Sequence, residues 1–338
     1  MSVTIRDVAR HANVSVATVS RALNGHPNVA EEVRRRVLDV ANRLRYSPHH
    51  AARSLSSRRT RTIGVVLPDL YGEFFSELMR GIDQVARERG LHLLVSSYHG
   101  NPKEQGAALR TMRGRVDGLL LMSPFLAGAE ELASELPPMP VVLMNPALAV
   151  ERLPSVGVDN HGGAMAMVRH LLGAGHRRIA FIAGPEDNFD ASERLRGYHE
   201  ALAQGAPATE PWVLPGNFDE ASGHAAGQRL LAAGERPDAV FAANDMMALG
   251  CLFALGQGGL RVPVDIALAG FDDIPLSRYV DPPLTTMRVE IAELGARAIR
   301  QLLDRAAEAD GDAPAASLLE PRLVVRASSA AGSTTPRK

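Results

Sequence analysis

The chain has 338 residues, 46% of them hydrophobic and 22% charged, which is enough length for two or three domains and a globular rather than disordered or fibrous composition. Its formal net charge of −1 hides a split: residues 1–61 hold 12 arginines, no lysine and four acidic residues, a net +8, and the remainder is −9. A basic head on an acidic body confines attraction for phosphate to one end of the molecule.

In chain order, the stretch TIRDVARHANVSVATVSRALN from Thr4 to Asn24 predicts two short helices joined by a tight turn. Ile5, Val8 and Ala9 share a face of the first helix, and Val19, Ala22 and Leu23 share a face of the second. Asn13 suits a left-handed corner, Val14 plugs the joint, and Ser15 stands where an N-cap belongs. This is the pattern of a helix-turn-helix, whose second helix reads the major groove of DNA. A third helix at 30–45 carries Val33, Val37, Val40, Ala41 and Leu44 at helical spacing and closes a three-helix core. Neighbours in Arg34-Arg35-Arg36 diverge by roughly 100° on a helix, so most of that run is expected to be solvated. Ser47-Pro48 then opens a helix of about two turns, 49–56, too short to be stable in water unless something docks against it.

From Thr62 onward short β-rich runs alternate with amphipathic helices. Strands are expected at 63–67, 91–97, 116–122 and 141–144, with helices at 74–89, 103–113 and 129–136 between them. Residues 156–159 cross over, and a second set follows: helix 163–172, strand 178–183, helix 191–204, strand 212–214, helix 220–233, strand 239–242, helix 245–255 and strand 266–269. Such alternation implies parallel sheets with helices on both faces, here in two similar lobes with a cleft between them. Helix 291–306 and strand 323–326 are expected to cross back and finish the first lobe. The tail ASSAAGSTTPRK has a disordered composition. It lacks leucine heptads, so no tail-mediated tetramer is expected.

Cys251 is the only cysteine, which excludes an intrachain disulfide and a cysteine metal cluster. The amino terminus has no apolar leader and no run approaches the ~20 apolar residues of a membrane span, so a cytoplasmic location is expected. Walker-type loops, GxSxG and HExxH are absent, and the glycines of HGGAMAM do not match GxGxxG. His49-His50 is better read as solvent-facing than as a metal site. No catalysis, metal or cofactor is expected, and the basic head argues against a periplasmic solute-binding protein.

The order of parts is more specific than any of them singly. TIRDVARHANVSVATVSRALNG, YSPHHAARSL, TIGVVLPD, RVDGLLLMSP, GHRRIAFIAGP, ERLRGY, AANDMMALG, AGFDD and DPPLTTMR follow one another along the chain. In this the sequence resembles the lactose/galactose repressor (LacI/GalR) family of bacterial transcription regulators, from Val3 to about Arg326. The resemblance implies a multidomain protein: an all-α helix-turn-helix head at 1–46, a hinge helix and linker at 47–61, and an α/β two-lobe sensor of the periplasmic-binding-protein type at 62–327. Lobe one would take about 62–160 and 290–327, lobe two about 161–289, with 328–338 a disordered tail. It also implies a homodimer on double-stranded DNA carrying a palindromic operator.

By the same resemblance Val16, Ala17 and Arg21 choose the operator. The first two are limited to apolar contacts such as thymine methyls, and Arg21 can bond guanine bidentately. The Val-Ala pair is similar to galactose-type members, which implies T/A-rich arms about a central C-G step. Thr18, Ser20 and Asn24 suit phosphates, and Leu55 corresponds to a wedge driven into the central step from the minor groove. Ser56 stands where some relatives carry lysine. In the sensor, Phe74, Phe75 and Phe218 are candidates to stack on an effector, and Asn145, Arg194, Asn244 and Asp272 to bond it. Arg194 and Asp272 suit vicinal hydroxyls, which points to a sugar or sugar derivative. Asn145 stands where several sugar-responsive relatives have aspartate. The expectation is a ligand-controlled repressor. The alternative is a regulator of the same fold governed by a protein corepressor on lobe one.

Overall fold

A computed structural model of the chain describes residues 3–23, 26–46, 60–125, 135–147, 153–307 and 316–330. Contacts divide the chain into two units, Met1–Thr60 and Arg61–Lys338, taken in turn. In the first, helices α1 (Ile5–Ala12), α2 (Val16–Leu23) and α3 (Glu31–Arg43) enclose a core of Val8, Ala9, Ala12, Val19, Ala22, Val29, Val37, Val40 and Ala41. Asp7 ties the start of α1 by accepting from both the backbone N and the Oγ1 of Thr4 (2.9 and 2.7 Å). Asn13 holds the corner at φ 54°, and Ser15 Oγ caps α2 by accepting from Thr18 N at 3.1 Å. Arg34 departs from the solvated reading: its Nη2 donates to the His26 carbonyl at 2.7 Å and braces the loop entering α3.

The second unit contains two six-stranded sheets. The first runs β11-β5-β4-β3-β1-β2, all pairs parallel, from β1 (Thr62–Leu67), β2 (His92–Ser97), β3 (Gly118–Met122), β4 (Val141–Met144), β5 (Ser155–Val158) and β11 (Ser317–Leu319). Its helices are α4 (Glu73–Glu88), α5 (Pro102–Met112) and α10 (Ile291–Ala307). The second runs β12-β10-β9-β8-β6-β7, from β6 (Ile179–Ile182), β7 (Trp212–Leu214), β8 (Ala239–Ala242), β9 (Ala267–Asp272), β10 (Thr285–Arg288) and β12 (Arg322–Val324). Its helices are α6 (Asn160–Gly173), α7 (Phe189–Gly205), α8 (Glu220–Ala232) and α9 (Asp245–Gln257). Central strands such as β3, β4, β6 and β8 are buried at every residue, which is why they read as unbroken apolar runs rather than alternations.

The chain passes between the lobes three times, after β5, after β10 and after β11. The third passage corrects one expectation. The strand expected at 323–326 to finish the first lobe is β12, which joins the second sheet antiparallel to β10; β11 completes the first. β10 itself, inside DPPLTTMR, went unread as a strand. A second correction concerns the tail. Ala327–Ser329 form a 3-10 turn whose serines are fully buried: Ser328 Oγ donates to Leu268 O (2.6 Å) and accepts from Thr285 N (2.8 Å). Their hydroxyls, not their hydrophobicity, seat them. The helix expected at 129–136 and the hinge helix fall almost wholly outside the described residues.

Helices α4 and α10 cross at glycines. A Cβ on Gly81 would lie 1.8 Å from the Ala292 carbonyl oxygen, and one on Gly295 2.4 Å from the Leu78 carbonyl oxygen. Backbone cannot move aside as a side-chain tip can. Gly81→Ala should therefore destabilise the sensor by about 2 kcal/mol or more, read as a lower thermal midpoint; an unchanged midpoint would contradict this close crossing.

Candidate DNA-reading face and effector cleft

On α2 the buried Val19 and Ala22 anchor the helix, and Val16, Ala17 and Arg21 lie on its exposed side. Val16 is 42% exposed, uncommon for valine in a small domain, and so is open to an apolar contact. Thr18 and Ser20 are half-buried beside this face, and Thr18 Oγ1 is engaged with Ser15 Oγ at 2.9 Å. Asn24 and Leu55 lie outside the described residues.

The effector candidates gather where the carboxyl ends of parallel strands meet helix N-termini, the usual ligand position in open α/β sheets. Arg194, on α7, is 4% exposed and spends its donors on three sides. Nε donates to Asn160 Oδ1 (2.8 Å), Nη1 to the Ala243 carbonyl (2.6 Å), and Nη2 lies 3.4 Å from Asp272 Oδ1. Its guanidinium stacks 3.9 Å from the centroid of Phe271 and 5.8 Å from that of Phe218. Asp272, at the end of β9, is 3% exposed; its Oδ1 is an ion-pair contact of Arg194 yet has no hydrogen-bond partner. Burial raises its carboxyl to about 6, against the opposing pull of Arg194.

Asn244 caps α9, accepting from Met247 N at 3.0 Å, and donates from Nδ2 to the Phe218 carbonyl at 2.9 Å. It thereby fixes the turn that carries Phe218 at φ 63°. Asn145 (φ 42°) and Asp272 (φ 111°) share this left-handed backbone. Three strained residues at one cleft mark a site whose geometry outweighs its local cost. Phe74 and Phe75 form an edge-to-face pair, centroids 5.4 Å apart, half-buried at the start of α4 and packed on the core.

Two further residues escaped the sequence reading. Asp190, one helical turn before Arg194, accepts from Asn145 Nδ2 across the cleft and from Asn160 Nδ2 within its own lobe, both at 2.9 Å. Asp245, directly after Asn244, is fully buried; its carboxylate accepts from Thr286 Oγ1 (2.6 Å) and Ile274 N (3.0 Å), bracing the turn after Asp272. Burial, with Asp272 nearby, pushes its carboxyl well up. The spacing of four between Asp190 and Arg194 was the available signal for the first; the ND pair was the signal for the second. Other bonds also span the cleft: Phe189 N to Pro124 O (2.7 Å), Tyr71 OH to Glu220 Oε2 (3.0 Å) and Leu276 N to Glu73 Oε2 (2.9 Å).

The raised carboxyl of Asp272 has a sign. The folded state holds this proton more tightly than the unfolded chain, whose ordinary value is 3.8. Its contribution to stability therefore falls as pH rises from about 4 to about 6 and is level above that. The thermal midpoint of Asp272→Asn should gain on that of the native chain across this window. Parallel midpoint curves would contradict the assignment.

With an exposed helix-turn-helix face and a two-lobe cleft, the molecule has the parts of a DNA-binding regulator with a ligand sensor. Comparison with known proteins places it. Residues 4–49 match the family of bacterial regulatory proteins named for lacI, and residues 168–329 match a periplasmic binding protein-like domain. The chain is 38% identical over 307 residues to catabolite control protein A of Priestia megaterium, covering 89% of this chain and 92% of that one. Among solved structures, the lac repressor dimer bound to operator and the anti-inducer ONPF aligns at TM-score 0.85 and 30% identity, covering 97% of this chain and 99% of that one. The transcriptional regulator CelR in complex with cellobiose aligns at TM-score 0.71 and 33% identity, covering 96% and 99%. The chain belongs to the LacI family of bacterial transcription regulators. It is a DNA-binding repressor with an effector-binding sensor, not an enzyme. Among the described residues no group of three or more His, Cys, Asp or Glu could hold a metal, and no helix is long and apolar enough to cross a membrane.

Proposed function

We propose that this repressor works as a homodimer on a palindromic operator and that a sugar or sugar derivative between the lobes sets its DNA affinity. Arg194 and Asp272 hold vicinal hydroxyls of the effector, Asn145 and Asn244 flank them, and Phe74, Phe75 and Phe218 cover its apolar face. Val16, Ala17 and Arg21 read bases, Thr18, Ser20 and Asn24 meet phosphates, and Leu55 wedges the central step. The domains are taken as 1–46 for the head, 47–61 for the hinge and linker, and 62–327 for the sensor.

The observation that carries the sugar reading is the buried Arg194–Asp272 pair with an unpartnered carboxylate oxygen, set beside aromatic rings. That oxygen is ion-paired but accepts no hydrogen bond, and a ligand hydroxyl would supply one. The cellobiose complex of CelR lends support, as a relative of the same architecture bound to a sugar. Selection of binding sites from random-sequence DNA should recover a two-fold palindrome occupied by two chains. A site without two-fold symmetry, or one chain per duplex, would contradict the dimer reading.

A further inference from the structure

The charge balance of the cleft narrows the class of effector. Arg194 forms its ion pair with Asp272. Asp190, one turn away on the same helix, has no salt bridge among the described residues; its two oxygens take only the neutral amides of Asn145 and Asn160. Both accept an N–H; burial raises its carboxyl, and Arg194 with the two amides pulls it back toward the ionised form. Asp190 is half-buried, so a ligand can reach it, and it joins the two lobes through Asn145. Two carboxylates therefore share one guanidinium, and both are pushed up by burial, so an added cation would favour their ionised forms.

A second observation concerns hydrogen bonds. The buried polar atoms left without partners in this group are Asp272 Oδ1 and Asn145 Oδ1, and both are acceptors. Asp272 is more than nine-tenths buried, and its Oδ1 meets Arg194 Nη2 at 3.4 Å as an ion pair without a hydrogen bond. What the site lacks is donors and positive charge. An ammonium supplies both, with three N–H groups and a unit charge. A carboxylate or phosphate supplies neither and would be repelled by Asp190 and Asp272.

We propose that the effector bears a positively charged amine, as in an amino sugar, and that Asp190 is the residue selecting it over neutral and anionic sugars. This rests on the sugar-site reading above and deepens it.

The test is calorimetric titration of the full chain with D-glucosamine, D-glucose, D-glucuronate and cellobiose, on the native protein and on Asp190→Asn. The native chain should bind glucosamine at least tenfold more tightly than glucose, with glucuronate weakest. The preference for glucosamine should shrink in Asp190→Asn and return in Asp190→Glu. Equal or tighter binding of glucose by the native chain would overturn the inference and leave the sugar reading intact, whether or not the variants fold. So would a preference that survives in Asp190→Asn. Binding of none of the four would overturn both.

Discussion

Arg194→Ala should abolish effector binding and lower the stability of the sensor by about 3–5 kcal/mol, the cost of leaving a buried charge without its partner. The guanidinium serves Asn160, the Ala243 carbonyl and Asp272 at once and fills the space over Phe271. Removing it strands two acceptors and exposes Asp272 to the field of Asp190 without compensation. Arg194→Lys should not restore binding, because a single ammonium cannot reach three directions or stack flat on a ring. Chemical denaturation separates the two effects. A variant with native stability would show that the buried pair does not hold the lobe together. Native sugar affinity in Arg194→Ala would remove it from the cleft's chemistry.

Arg21→Ala acts at the other end of the chain and should leave the sensor untouched. Loss of a bidentate guanine contact costs about 1–3 kcal/mol, or roughly 5- to 150-fold in affinity, for each of the two half-sites of an operator. Discrimination should relax at one base pair per half-site, since Val16 and Ala17 contribute only apolar contacts. A phosphate contact would behave differently: affinity would fall alike on all sequences, and the salt dependence would become shallower. Binding measured on the selected operator and on a copy altered at that guanine distinguishes the two. Equal losses on both would reassign Arg21 from reading to positioning.

The head was legible because its signals are local. The caps and the corner at Asn13 lie within a few residues of the helices they shape, and Val8 and Val19 mark their buried faces. The sensor's alternation was legible for the same reason, since parallel strands buried on both faces read as apolar runs. The destination of β12 was not. Leu323 and Val324 suit either sheet, and only the third passage between lobes decides which one they join. Nor were Ser328 and Ser329 legible, because their polar composition conceals a turn seated by hydrogen bonds to residues more than forty positions away.

The cleft was half legible. Arg194, Asn244 and Asp272 could be named only through the resemblance to the family, whose ligand groups fall at strand ends and loops between the lobes. The bonds of Asp190 could not, because Asn145 lies 45 residues away on the other lobe and Asn160 lies 30 residues away. Asn145 looked like a departure from an acidic position. In three dimensions a carboxylate still sits there, supplied from the opposite lobe. Asn244 also illustrates how a capping residue and a site residue can be the same side chain, its oxygen serving α9 and its amide fixing Phe218.

The central claim is that the Arg194–Asp272 cleft governs occupancy of DNA by the helix-turn-helix. It is tested most directly by operator affinity measured with and without saturating sugar, on the native chain and on Asp272→Asn. Coupling of about 1–3 kcal/mol predicts a change of roughly 5- to 150-fold in the native chain. In Asp272→Asn the same sugar concentration should produce no change while the operator is still bound. A full sugar response in that variant would contradict the account.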